Sequence, residues 1–162
     1  MTTREAGELQ LLAVLTLPGV ERSVRYARLF LRDTLVPEHL SPGGELLGDM
    51  ALVVDEFAVN GIRHTASGRG GQIHIALWTG EGVLRAEVSD DGAGGARPIL
   101  RNAQDESGRG LHIVEALASR WGHRADGACT TVWAEFPAPG GRSSARAGSA
   151  VAGQGVLHGD AV

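Results

Sequence analysis

Glu56 and Asn60 stand one helical turn apart in the stretch LVVDEFAVNGIRH, and Arg63 and His64 follow within the next turn. At about 100° per residue these four side chains fall within roughly a quadrant of a helix, so a carboxylate, a carboxamide and two basic groups share one stripe. An ordinary solvated helix face accounts for the same residues. Further on, Asp90-Asp91-Gly92-Ala93-Gly94-Gly95 closes a run in which Leu84, Ala86 and Val88 alternate. By parity Asp90 points to the same covered side, and a buried aspartate needs a partner, one candidate being a ligand that offers an amino group. Asp-Gly is equally a common turn signal. The third candidate is Glu106-Ser107-Gly108-Arg109-Gly110-Leu111, which leads into an apolar helical pattern. Glycines let a ligand approach the backbone, and free N–H groups at a helix start suit phosphate. Ser107 as a helix cap explains the same letters.

Other chemistries are excluded by composition. The chain has 162 residues, 15 arginines and no lysine. A P-loop needs a lysine on its phosphates and a Schiff-base enzyme needs an amine, so neither is available. The third glycine of the dinucleotide fingerprint is missing, because Ile113 occupies its place. A single cysteine, Cys129, forbids internal disulfides and multi-cysteine zinc sites and suggests a reducing compartment. Cys129 reads as a small packing residue in or beside a strand. The histidines lack metal-ligand spacing, and no H-E-x-x-H occurs. A net charge of −4 gives no reason to expect nucleic acid or an anionic membrane as a partner. Leu11 to Leu15 is apolar but far shorter than the ~20 residues of a membrane span. It follows Glu5 and Glu8 rather than a basic segment, so the chain reads as cytoplasmic.

The elements that must position these groups follow from periodicity. Residues 11–17 read as a strand and residues 21–36 as a helix with Val24, Ala27, Leu31 and Leu35 inward. A longer helix runs from about Glu45 to Thr65. Ile73, Ile75 and Leu77, then Leu84, Ala86 and Val88, give the two strands of a half-buried hairpin. A third helix spans about Arg109 to Trp121, and a last strand runs from Thr130 to Phe136. Trp121 and Trp133 read as core packing, with a partner surface as the other possibility. Residues 1–8 read as a flexible start, 9–137 as one domain and 138–162 as a disordered tail. From Pro137 onward six glycines, six alanines, three serines and two prolines bury too little to offset ordering entropy. Helices followed by a mostly antiparallel sheet indicate an α+β two-layer sandwich.

Taken in order, the motifs resemble the ATPase fold shared by gyrase, mismatch-repair ATPases, the large heat-shock chaperones and sensor histidine kinases. Over residues 9 to 137 the chain looks most like the stand-alone anti-sigma-factor serine/threonine kinases of the actinobacterial branch. LVVDEFAVNGIRH is similar to that group's N-box, VSDDGAGG to its adenine-binding box, and ESGRGLHIVEALASRWG with TTVWAEF to its final helix and strand. The resemblance implies a histidine-kinase-like (Bergerat) α/β sandwich, its mixed, mostly antiparallel sheet covered on one face by helices. It implies ATP and Mg²⁺ as cofactors. Asn60 matches the Mg²⁺ ligand, a neutral oxygen donor suited to a hard cation. Glu56 matches the general base, acting on water or a protein hydroxyl. Asp90 matches the acceptor for the adenine amino group, with Thr130 beside it. Gly92 and Gly94 match the turn beneath the nucleotide, while Gly108 and Gly110, with Arg109 between them, match the hinge that meets the phosphates.

The chain departs from the family's pattern where Gly61 replaces a usual alanine and Cys129 a usual glycine. The lid carries only Arg97 and Arg101 as basic groups. The partners implied are a sigma factor and an anti-sigma-factor antagonist, and a homodimer is the oligomer that the resemblance suggests. An ATP-gated binding module without catalysis and a slow ATP hydrolase remain as alternatives to the kinase.

Overall fold

The computed structural model describes residues 7–64, 68–91 and 109–139. Strand β1 (Gln10–Pro18) leads through a 3-10 turn at Glu21–Ser23 into helix α1 (Val24–Leu35). Helix α2 (Glu45–His64) is followed by β2 (Gln72–Gly80) and β3 (Val83–Asp90). Helix α3 (Arg109–Leu117), β4 (Arg120–Asp126) and β5 (Cys129–Pro137) complete the described elements. The five strands lie in the order β1-β2-β3-β5-β4, and every pairing among them is antiparallel rather than mixed. Among the described residues no helix is long and apolar enough to cross a membrane.

The core is the layer between the sheet and the helices. Ile73, Ile75 and Leu77 of β2, Leu84, Ala86 and Val88 of β3, and Val132, Ala134 and Phe136 of β5 are buried. Their alternation places them on one face, as the period-2 pattern requires. Ala27, Leu31 and Leu35 of α1 and Met50, Val53, Val54, Phe57, Ala58 and Ile62 of α2 close over that face. Each large side chain so buried contributes about 1.5–3 kcal/mol.

The other face of the sheet is charged and yet largely closed. Glu87 and Glu135 keep only 7% and 8% of their surface exposed. Arg85 bridges them at 3.0 and 3.4 Å, and Arg124 grips both oxygens of Glu87 at 3.1 and 3.2 Å. That grip raises the Arg124 pKa above its ordinary value. Arg85 also lies over the Trp133 ring, 4.2 Å from its centre. The ring rests on β4 at Gly122, where an added Cβ would stand 2.8 Å from it. Trp133 therefore packs on this second face, while Trp121 is partly buried against the core.

Two further expectations change here. The third helix stops at Leu117, and Trp121 belongs to a strand the sequence pattern does not reveal. Ser119 marks the switch: its backbone N–H and its hydroxyl both donate to the Glu135 carbonyl at 2.9 Å, which draws the chain into the sheet. Cys129 is exposed at the start of β5 instead of packed, because it sits beside the β4–β5 turn at the end of the strand. The tail expected from residue 138 lies, beyond Pro139, outside the described residues.

Helices α1 and α2 are joined by an ion pair. Arg28 donates to Asp55, whose carboxylate is buried although the arginine is mostly exposed. The pairing raises the Arg28 pKa, through the hydrogen bond first. Asp55 Oδ1 is buried and finds no hydrogen-bond partner among the described residues, where Arg28 is the cation that pairs with this carboxylate. Because Arg28 is open to solvent, the pair is worth less than a fully buried one. We expect Arg28→Ala to destabilise by about 1–3 kcal/mol, since it strands a buried carboxylate. The double variant with Asp55→Ala should recover most of that loss in urea unfolding; equal loss in both would show that the pair is not the cause.

Candidate active site

The polar stripe of α2 forms where the helix meets α3 and the end of β3. Buried residues of α2 cover an arc of about 200° at 100° per residue, and Glu56 and Asn60 lie at its border, half-buried. Arg63 is drawn off this border by Glu21, whose carboxylate it meets at 3.0 Å through both Nε and an Nη.

The Glu56 carboxyl has a raised pKa. Burial is the main cause, the neighbouring Asp55 charge adds to it, and the Arg63 charge opposes both. The carboxylate lies directly against the first turn of α3: a Cβ placed on Gly110 would come within 2.5 Å of Glu56 Oε2. Gly110 is itself buried.

One turn beyond Glu56, the helix passes the end of β3. A Cβ on Gly61 would sit 3.4 Å from Asp90 Cβ and 3.5 Å from its Oδ2. Asp90 is 6% exposed and stands opposite Thr130 in the β3–β5 register, with Ile73 opposite it on β2. Thr130 is equally buried. Asp91, next in the chain, has a structural task, accepting the Gln72 backbone N–H at 2.9 Å.

The described site is thus one continuous line. It runs from Gly110 to Glu56, along α2 to Asn60 and Gly61, and across to Asp90 and Thr130. Arg109 opens α3 with its backbone. Gly92, Gly94, Gly108, Arg97 and Arg101 lie outside the described residues. Sequence reasoning missed Asp55 and its partner Arg28, because 27 residues and two helices separate them and no spacing rule links them. It also missed the packing of Gly61 on Asp90 and of Gly110 on Glu56, which only tertiary proximity reveals.

The donor set offers three kinds of contact. Asp90, buried on the covered face beside a threonine hydroxyl, offers an acceptor for a ligand's amino group. Asn60 offers a neutral oxygen to a hard cation whose other ligands would come from phosphate and water. Glu56 offers a carboxylate of raised basicity.

The family model for the histidine kinase-like ATPase domain matches residues 17–136. Among solved structures, the chain is similar to the RsbU and RsbW domains of Rv1364c from Mycobacterium tuberculosis, with 22% identity and a TM-score of 0.55. The likeness covers 78% of this chain and 32% of that one, so this chain spans about a third of its length. At that identity the likeness is one of fold. No curated protein sequence matches the chain.

Two outcomes test the site's electrostatics and packing. In the folded protein Glu56 holds its proton to higher pH than in the unfolded chain. It therefore favours folding at acid pH, and that contribution is lost as pH rises through its folded pKa. Glu56→Gln should raise Tm at pH 7, and the gain should vanish below the ordinary carboxylate range; a loss of Tm at pH 7 would contradict the raised pKa. Gly61 has room for a methyl group at ordinary contact distance, so Gly61→Ala should stabilise by about 0.5–1 kcal/mol through helix propensity. Calorimetry showing destabilisation would mean that Asp90 needs the gap.

Proposed function

The chain belongs to the histidine kinase-like ATPase domain family, and from that membership we propose that it is an ATP- and Mg²⁺-dependent serine/threonine protein kinase of anti-sigma-factor type. It would bind a sigma factor and phosphorylate an antagonist protein, acting in the cytoplasm as a homodimer whose ATPase domain comprises residues 9–137. The placement of Glu56 carries this reading: half-buried on α2, raised in pKa and one turn from Asn60. A base of raised proton affinity is the group that an alcohol nucleophile needs.

Bound ATP with Mg²⁺ would supply the transferable phosphoryl group. Asp90 would accept a hydrogen bond from the adenine amino group, with Thr130 completing that corner. Asn60 would hold the cation through its side-chain oxygen. Glu56 would take the proton from the antagonist's serine or threonine hydroxyl as that oxygen bonds to phosphorus and the ADP oxygen leaves. Gly92, Gly94, Gly108 and Arg109 would contribute backbone and charge around the nucleotide. Positioning and charge neutralisation carry most of the catalysis in phosphoryl transfer, and without lysine the protein's cationic share falls to arginine.

Incubating the chain with γ-labelled ATP and candidate antagonists from its own genome separates the possibilities. Label on a protein serine or threonine is the expected outcome. Free phosphate alone would make the protein a hydrolase, and bound but intact ATP would make it a binding module. Glu56→Ala should cut transfer by about 10²–10⁴-fold, the usual share of a general base. Asn60→Ala should abolish Mg²⁺-dependent ATP binding. Unchanged transfer in the first variant, or unchanged binding in the second, would refute the assigned role.

A further inference from the structure

We propose that Gly110 is a positioning residue for Glu56: the missing side chain at the first turn of α3 leaves the space into which the Glu56 carboxylate fits. This rests on the reading of Glu56 as the base, and it assigns Gly110 a task apart from any contact with phosphate.

The geometry is specific to the carboxylate. A Cβ at position 110 would lie 2.5 Å from Glu56 Oε2, 3.3 Å from Cδ and 3.7 Å from Cβ. The overlap therefore falls on the far end of the glutamate, while its root stays at contact distance. At Gly61, by comparison, the same added atom meets nothing closer than 3.4 Å. Helices α2 and α3 pack directly on each other, and Val114, one turn past Gly110, is buried in that layer. The α3 backbone is thus anchored, whereas the end of a half-buried glutamate can rotate away. A methyl group at 110 would be accommodated by a shift of the carboxylate of about 1 Å, the distance needed to restore a normal contact.

Folding and catalysis then respond in opposite senses. Alanine is the better helix former, and only a flexible side chain must yield, so Gly110→Ala should leave Tm unchanged or raise it. A displacement of about 1 Å in a reacting group costs on the order of 10²-fold in rate. We expect Gly110→Ala to lower kcat for phosphoryl transfer by about 100-fold while the Kd for Mg·ATP changes by less than about 3-fold.

The decisive experiment is a double-mutant cycle with two backgrounds, each variant checked by Tm. In Glu56→Ala, where no carboxylate remains to displace, Gly110→Ala should cost less than about 3-fold. In Glu56→Asp, whose carboxylate is one methylene shorter and ends about where Glu56 Cδ lies, 3.3 Å from the added Cβ, the cost should shrink markedly. An undiminished cost in both backgrounds, ATP affinity falling as far as kcat, or a loss of Tm matching the loss of rate would overturn the proposal.

A second readout needs neither ATP nor activity. The carbon-13 resonance of the Glu56 carboxyl, assigned with Glu56→Gln, should move in the nucleotide-free protein on Gly110→Ala, while the Trp133 indole signal on the far face stays in place. An unmoved Glu56 signal would overturn the seat. Should Glu56→Ala leave phosphorylation intact, the base assignment falls, and the resonance still reports whether Gly110 seats the carboxylate.

Discussion

Helix α2 must be buried over slightly more than half its circumference and still present polar groups at a usable site. Met50, Val53, Val54, Phe57 and Ala58 fasten it to the sheet, and the same helix touches α1, α3 and three strands. A helix enclosed on so many sides holds its remaining side chains in fixed directions, because its axis and rotation are set by packing. That fixed rotation puts Glu56 under α3 and Gly61 against Asp90. It also forces Asp55 into the α1 interface, where a carboxylate survives only by its pairing with Arg28. The ion pair is thus a consequence of the rotation that places Glu56 under α3, and it sets the Asp55 charge beside that carboxyl.

The second face of the sheet shows what an arginine-only chain can do. A single helical layer covers one face, so the other needs side chains that tolerate water at one end and close packing at the other. Arg85 joins two buried glutamates and stacks on Trp133, a combination that relies on a planar guanidinium. The fork of Arg124 on Glu87 is bidentate, which a lysine ammonium does not reproduce. Lysine's absence thus excludes one nucleotide-binding chemistry and fits a sheet held across strands by guanidinium groups.

The legible parts of the fold were those with one dominant periodicity. The hairpin of β2 and β3 alternates cleanly because one face is fully apolar, and α2 shows its helical period over 20 residues. Strand β4 was not legible. It is an edge strand whose Arg-Trp-Gly-His-Arg-Ala-Asp sequence is largely exposed, so its identity comes from pairing with β5 and from Ser119. The expected helix takes in its first two residues because Trp121 continues the apolar spacing of α3. In the site, the covered position of Asp90 could be read from strand parity, while Thr130 beside it followed from the family resemblance and stands opposite Asp90 in the β3–β5 register. The Asp55–Arg28 pair could not, since it depends on how two helices pack.

Gly61 and Gly110 show why residue type alone misleads about a site. Gly61 departs from the alanine expected there, yet the space around it accepts a methyl group, so its lack of a side chain is no requirement of the packing. Gly110 fits the expected hinge pattern, yet the space its missing side chain leaves is filled by a carboxylate from another helix. Burial raises the Glu56 pKa, and part of that burial comes from the first turn of α3 lying on it. The position of the Glu56 carboxylate and its proton affinity therefore share one structural cause. A shift of the α3 start would change both together, because the carboxylate that moves into water also loses the desolvation that made it basic.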